Sequence, residues 1–141
     1  MRAVPCFITF LLVLSCALAQ ADIAGILARQ PGNTPEEAAQ NAKDLAALGA
    51  EAVAEVAAQL VPLGEGDDAA VRYALSGLAK YGSAPGNESV RTAAVEGMLK
   101  GLEGTDNAEV QTFLIERLQW VADDRAVPAL AKLLEEDAPY D

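Results

Sequence analysis

The sequence predicts an all-α fold: a short α–α superhelix, or solenoid, of about three helix pairs behind an N-terminal signal peptide. Three observations predict it. Beyond residue 20 Ala dominates, and apolar residues recur at spacings of three and four, the period of one helix face, without strand-like alternation. Gly, Asn and Asp interrupt the helical stretches at short intervals. Leucine patterns return at steps of 31 to 40 residues, the period of a stacked helical array.

Residues 1–19 have the layout of a secretory signal peptide. Arg2 supplies a positive start, Val4 to Cys16 carries no charge, and two small-x-small sites follow, Ala17-Leu18-Ala19 and Ala19-Gln20-Ala21. Cleavage is expected after Ala19 or Ala21. The apolar run Val4–Ala19 is 16 residues, short of the roughly 20 that span a bilayer, so a transmembrane segment is not expected. Leu12-Val13-Leu14-Ser15-Cys16 resembles a bacterial lipobox, which would leave a lipid anchor at Cys16. The Ala-x-Ala site is cleaner and is favoured. Ordinary cleavage removes Cys6 and Cys16, the only cysteines, and leaves a chain without disulfide or thiolate chemistry. The expected location is periplasmic or extracellular.

Residues 20–34 form a short leading helix, about Ile23–Arg29, and a linker. The repeat domain occupies 35–141, in units of about 35–66, 67–104 and 106–141. Its first helix starts at Thr34-Pro35-Glu36-Glu37: a capping Thr, Pro at the first helical position, and Glu three residues after the cap. It runs to about Leu48, where Gly49 takes a left-handed stop. The partner helix covers about Glu51–Leu63, with Pro62 in its last turn. Then come Ala69–Tyr81 after Asp67-Asp68, Glu88–Leu102 after Asn87, Ala108–Ala122 after Asp106-Asn107, and Arg125–Glu136 after Asp124. Each start carries an Asp or Asn able to cap it. Leu45, Leu78 and Leu118 correspond in the first helices, and Leu60, Leu99 and Leu130 in the second.

Asp68-Ala69-Ala70-Val71-Arg72-Tyr73-Ala74-Leu75 and Asp123-Asp124-Arg125-Ala126-Val127-Pro128-Ala129-Leu130 carry a family resemblance. They resemble HEAT-like repeats of the short bacterial type, also seen in phycobilisome-lyase-like proteins. The resemblance covers about Pro35 to the C-terminus and is weakest in the Ala-rich first unit. It implies stacked helix pairs whose second helices line a concave, partner-binding surface. Exposed positions expected there include Glu51, Glu55, Gln59, Arg91, Lys100 and Lys132. It also implies an inter-repeat ladder, in which Asp123, Asp124, Arg125 and Arg91 could take part.

The chain holds 10 basic and 21 acidic residues, no His, and a net charge of −11. A His-based triad, a His metal site and a Cys/His dyad are excluded. So acidic a chain is a poor nucleic-acid binder, which needs Lys and Arg in excess; a basic protein partner suits it better. Ser76-Gly77 lies inside a helix and reads as a small pair allowing close helix packing, not as a strand-to-helix nucleophile elbow. The acidic turns Gly64–Asp68, Glu103–Asn107 and Glu135–Asp137 lack calcium-loop spacing and read as caps. Tyr73, Tyr81, Phe113, Trp120 and Tyr140 are expected to pack in the core, with Trp120 as a partner anchor the alternative. Leu130, Leu133 and Leu134 lie on the last helix without an obvious polar cap after them, so a continuing chain or another surface is expected to cover that end.

No catalytic, cofactor or metal residue is expected. The predicted function is a non-catalytic, exported protein-interaction or scaffold module. The alternative is an N-terminal repeat segment, or an accessory subunit, of a larger exported enzyme. The lyase-like resemblance points to a third kind of test: bilin binding would shift an absorbance spectrum.

Overall fold

The computed structural model describes residue 20 and residues 22–136, apart from the side chains of Leu133 and Glu136. The proposed signal peptide and the C-terminal segment with Tyr140 lie outside the described residues. Seven helices and no strand occur among the described residues. They are α1 (residues 22–28), α2 (Pro35–Ala47), α3 (Ala50–Ala57), α4 (Ala69–Gly82), α5 (Glu88–Glu103), α6 (Ala108–Val121) and α7 (Val127–Glu136). None is long and apolar enough to cross a membrane.

The contacts follow an odd/even pattern. α2 packs on α4 and α4 on α6, while α3 packs on α5. Sequential neighbours also pair, α2 with α3 and α4 with α5, and α5 further touches α2 and α6. The core between them includes Leu45, Leu75, Leu78, Met98, Leu114 and Leu118, all essentially inaccessible. Each such side chain contributes roughly 1.5–3 kcal/mol by leaving water. Leu45, Leu78 and Leu118, matched in the sequence, are therefore all core residues.

Glycine decides the closest helix contact. A Cβ on Gly97 would lie 2.4 Å from Val53 Cβ, and one on Gly101 would lie 2.6 Å from Ala57 Cβ. Both glycines are on α5 and both neighbours on α3. Two helices approach this closely only where one lacks side chains.

The helix ends depart from the sequence expectations in instructive ways. Thr34 Oγ1 accepts the Glu37 N–H at 3.2 Å, as a cap should. Glu37, however, reaches back to the Asn33 N–H at 2.7 Å, one residue earlier than in a capping box. Gly49 has φ +91, a conformation that L side chains rarely adopt, and serves both as the stop of α2 and the start of α3. α3 ends at Ala57, not Leu63. Val61 precedes a proline and is steered away from helix, and its backbone is captured from outside. The Asp68 carboxylate accepts the Val61 N–H at 3.1 Å, and the Arg72 guanidinium donates to the Val61 carbonyl at 2.8 Å. Leu63 consequently sits outside the helix and exposed, with its N–H held by Glu109 at 3.0 Å.

Of the expected caps, Asn107 accepts the N–H groups of Glu109 and Val110. Asp68 and Asn87 do not cap by side chain. Asp68 is committed to Val61 and Arg72, and Asn87 donates to the Tyr81 carbonyl at 2.9 Å. α7 starts at Val127 rather than Arg125, because Arg125 turns back to Asp123 and α5. Pro128 lies in its first turn, where no N–H is needed.

Candidate functional site

Of the second-helix positions expected to meet a partner, two pair with each other by side chain and the rest do not. Lys100 on α5 pairs with Glu51 on α3. Gln59 donates to the Glu55 carbonyl at 3.3 Å. Arg91 is half-buried and donates to the carbonyls of Gly82 and Ser83 at 3.0 and 3.1 Å, closing the end of α4. Lys132 is exposed and lines a cleft of about 250 Å³ with Leu102, Glu103 and Gln111.

Of the residues expected in an Asp/Arg ladder, Asp123 and Arg125 pair within a single turn, and the links to another helix run to Glu96 and Thr92 instead. Arg125 Nε donates to Asp123 at 2.9 Å, and the same guanidinium reaches Glu96 at 3.2 Å and Thr92 at 3.4 Å on α5. The hydrogen bonds from Arg125 outweigh partial desolvation and hold the Asp123 carboxyl at about 2. Arg91 enters only through its charge on Asp123. These contacts tie the α6–α7 turn to α5, a structural role. Asp68 follows a related logic: burial raises its carboxyl, and the Arg72 hydrogen bonds and the Val61 N–H outweigh that and hold it below the ordinary value.

The aromatic residues meet the core expectation only in part. Phe113 is buried and Tyr81 partly so, but Tyr73 is 54% exposed and Trp120 50% exposed. All four lie on α4 and α6, and cations interleave with three of them. Phe113 sits between the guanidinium groups of Arg72 and Arg117, at 4.8 and 4.7 Å from its ring centre. Arg117 also lies 5.2 Å from the Trp120 ring, and Lys43 lies 5.4 Å from that of Tyr81. Such contacts contribute roughly 0.5–2 kcal/mol each and orient the rings. Arg117 is further fixed by Glu116 at 3.1 Å, and its buried Nε has no hydrogen-bond partner. Trp120 is thus an exposed ring on a braced support.

Between the two exposed aromatics runs a groove of about 210 Å³. Ala38 and Ala42 of α2, Ala74 and Gly77 of α4, and the Gln30–Gly32 loop form its lining, with Ser76 and Lys80 at its polar positions. Here the second sequence expectation fails. Ser76-Gly77 does not mediate close helix packing, since a Cβ on Gly77 would meet nothing within 4 Å. Gly97 and Gly101 are needed by α3, but Gly77 is needed by no neighbour and keeps the groove open. A helix-interior Gly costs about 1 kcal/mol relative to Ala, and packing does not offset that cost at this position.

A larger opening of about 900 Å³ lies between α1, α3 and the start of α4. It is lined by Ala, Ile and Leu with Gln20, Glu55 and Gln59, carries neither aromatic nor cation, and adjoins the first described residue. The aromatic groove has the more specific chemistry. Among the described residues, no group of three or more His, Cys, Asp or Glu is placed to hold a metal ion. Sequence reasoning weighed Trp120 as an anchor but missed the groove; the signal was a Ser-Gly pair in the middle of an otherwise strong helix.

Comparison with protein families, curated proteins and solved structures finds no match to this chain.

Proposed function

We propose that this chain is a non-catalytic, exported protein-interaction module, built as a short α–α solenoid of HEAT-like helix pairs. The alternating contacts support the solenoid reading: first helices α2, α4 and α6 touch in series, and second helices α3 and α5 do the same. The observation that carries the functional reading is the braced, half-exposed Trp120 lining one open groove together with exposed Tyr73. Large exposed aromatics are the usual energetic anchors of protein interfaces. On the second-helix face, by contrast, Glu51 pairs with Lys100 and Glu96 with Arg125. Partner docking is therefore assigned to the first-helix face, around α4 and α6.

A photo-crosslinking residue at position 73, introduced in the native cells, tests this. The expected result is a crosslinked polypeptide partner, together with an intact mass for the free chain that matches cleavage after Ala19 or Ala21. Crosslinking from position 55 and not from 73 would return the docking surface to the second helices. A mass retaining residues 1–19 would remove the export reading.

The alternative, a segment of or accessory to a larger exported enzyme, draws on one feature. Val127 is 61% and Leu134 76% exposed on α7, while Leu130 packs against the core. A following repeat or a neighbouring subunit would cover such a face.

A further inference from the structure

We infer that the Tyr73–Trp120 groove takes a proline-containing, acidic segment of its partner in the extended polyproline II form. This rests on the reading of the chain as a protein-interaction module and specifies what its site recognises.

Size comes first. A groove of about 210 Å³ is below the roughly 300–1,000 Å³ of a small-molecule site. It accommodates one ring or one side chain of a longer ligand passing over it. Its apolar lining is small, with Ala38, Ala42, Ala74 and the bare Cα of Gly77 among it. A compact ring can lie on this lining between Tyr73 and Trp120, the arrangement that aromatic-lined grooves offer to proline.

Hydrogen-bond balance selects among ring-bearing ligands. Lys80 and the indole of Trp120 can only donate, while Tyr73, Ser76 and Gln30 can do both. No carboxylate lines the groove. Among the described residues, the side chains of Tyr73, Ser76 and Lys80 have no hydrogen-bond or ion-pair partner, and the Trp120 indole has a cation over its ring but no hydrogen bond. The lining is thus rich in free donors. Polyproline II backbone is the matching surface: its carbonyls are not bonded internally, and proline has no N–H. A sugar would bring many hydroxyl donors to a lining with few acceptors.

Charge sets the third requirement. The protein is strongly acidic, yet α4 (AAVRYALSGLAKYG) contains no acidic residue. Arg72 is neutralised by Asp68, which leaves Lys80 as the one charge of the lining. A carboxylate beside the proline would meet it favourably, and a basic segment would be repelled. The groove therefore prefers the opposite charge from the one that net composition suggests.

Trp120 is the only tryptophan in the chain, so its fluorescence reports occupancy directly. The full chain would be titrated with a Pro-Pro-Glu repeat peptide, an Ala-Ala-Glu peptide, a Pro-Pro-Lys peptide and maltohexaose. The expected result is saturable change with Pro-Pro-Glu, binding at least about tenfold weaker for the other two peptides, and none for the sugar. By calorimetry, Gly77→Leu should abolish binding with its helix content intact, and Lys80→Glu should reverse the order of the Glu and Lys peptides. Equal binding of the Pro-Pro-Glu and Ala-Ala-Glu peptides, binding of the sugar, or no response to Pro-Pro-Glu overturns the inference. A native partner that crosslinks at position 73 through a segment lacking proline would also overturn it while leaving the interaction module intact. Absence of any crosslink at both 73 and 55 removes the module reading itself, and a crosslink at 55 alone removes this groove as the docking site.

Discussion

Gly77→Ala and Gly97→Ala are the same chemical change on two neighbouring helices, and the structure assigns them opposite signs. Each replaces a helix-interior Gly and gains about 1 kcal/mol of helix propensity. At Gly77 nothing lies within 4 Å of the new methyl, so the whole gain is retained. With an unfolding entropy of about 2.1 cal/mol/K per residue over the helical domain, that gain raises Tm by about 4 °C. At Gly97 the methyl would lie 2.4 Å from Val53 Cβ, 2.5 Å from Val53 Cγ1 and 2.8 Å from the Ala50 carbonyl oxygen. These atoms are backbone or fixed close to it, so α3 must move away from α5. Overpacking of this kind costs about 1–3 kcal/mol, leaving a net loss of up to about 2 kcal/mol after the propensity gain and a Tm lower by up to about 8 °C. Thermal melts of the wild type and the two variants, followed by helical circular dichroism, decide it. A Gly77→Ala variant that melts below wild type would refute the open groove. A Gly97→Ala variant that melts above it would refute the close α3–α5 contact.

Three further outcomes follow from the contacts. Arg72→Ala should destabilise by about 2–3 kcal/mol in urea unfolding, somewhat less than the ~3–5 kcal/mol of a fully buried broken pair, because it strands Asp68 and the Val61 carbonyl together. A loss below about 0.5 kcal/mol, the level of a plain surface substitution, would contradict that role. The Asp123 carboxyl should titrate near the value of about 2 set by Arg125, and Arg125→Ala should return it toward 3.8. Since the folded value is depressed, its stabilisation is complete above the unfolded value and is lost as pH falls through about 2. Both side chains are more than a third exposed, so Asp123→Asn should cost less than about 1 kcal/mol at neutral pH and nothing in strong acid; carbon-detected NMR titration and acid melts measure the two parts. Finally, Gly49→Ala, at φ +91 and ψ 176, should cost about 1–3 kcal/mol of backbone strain. A neutral melt would show that the α2–α3 turn can rebuild without positive φ.

Helix identity was legible because it is written locally. Apolar spacing, the Thr34-Pro35 start and the Gly49 stop are properties of adjacent residues, and α2, α4, α5 and α6 appear where these predict them. The misplaced ends share another origin. Nothing near Val61 announces that Asp68 and Arg72 will bind its backbone, and nothing near Arg125 announces Glu96 and Thr92. Those partners come from other elements, and they override the preferences that would carry α3 to Leu63 and start α7 at Arg125. The aromatic face was illegible for a related reason. Tyr73 and Trp120 sit at helical positions compatible with burial, and exposure depends on whether another helix covers that side.

The Ser76-Gly77 pair shows how the two levels of information combine. In the sequence a glycine in mid-helix has two explanations, a tight neighbour or a space that something else occupies. α5 supplies an internal control, since both of its interior glycines have a neighbour from α3 where a Cβ would be. α4 does not, and its glycine faces the groove between the two most exposed aromatics of the first-helix layer. A local rule broken without a compensating contact marks a position kept for something other than folding. The helix that breaks the rule is also the one without an acidic residue in an acidic protein. Stability alone would favour Ala at position 77, and no packing contact accounts for the glycine there. On the proposed reading, α4 rather than the second helices is the place to test for a partner.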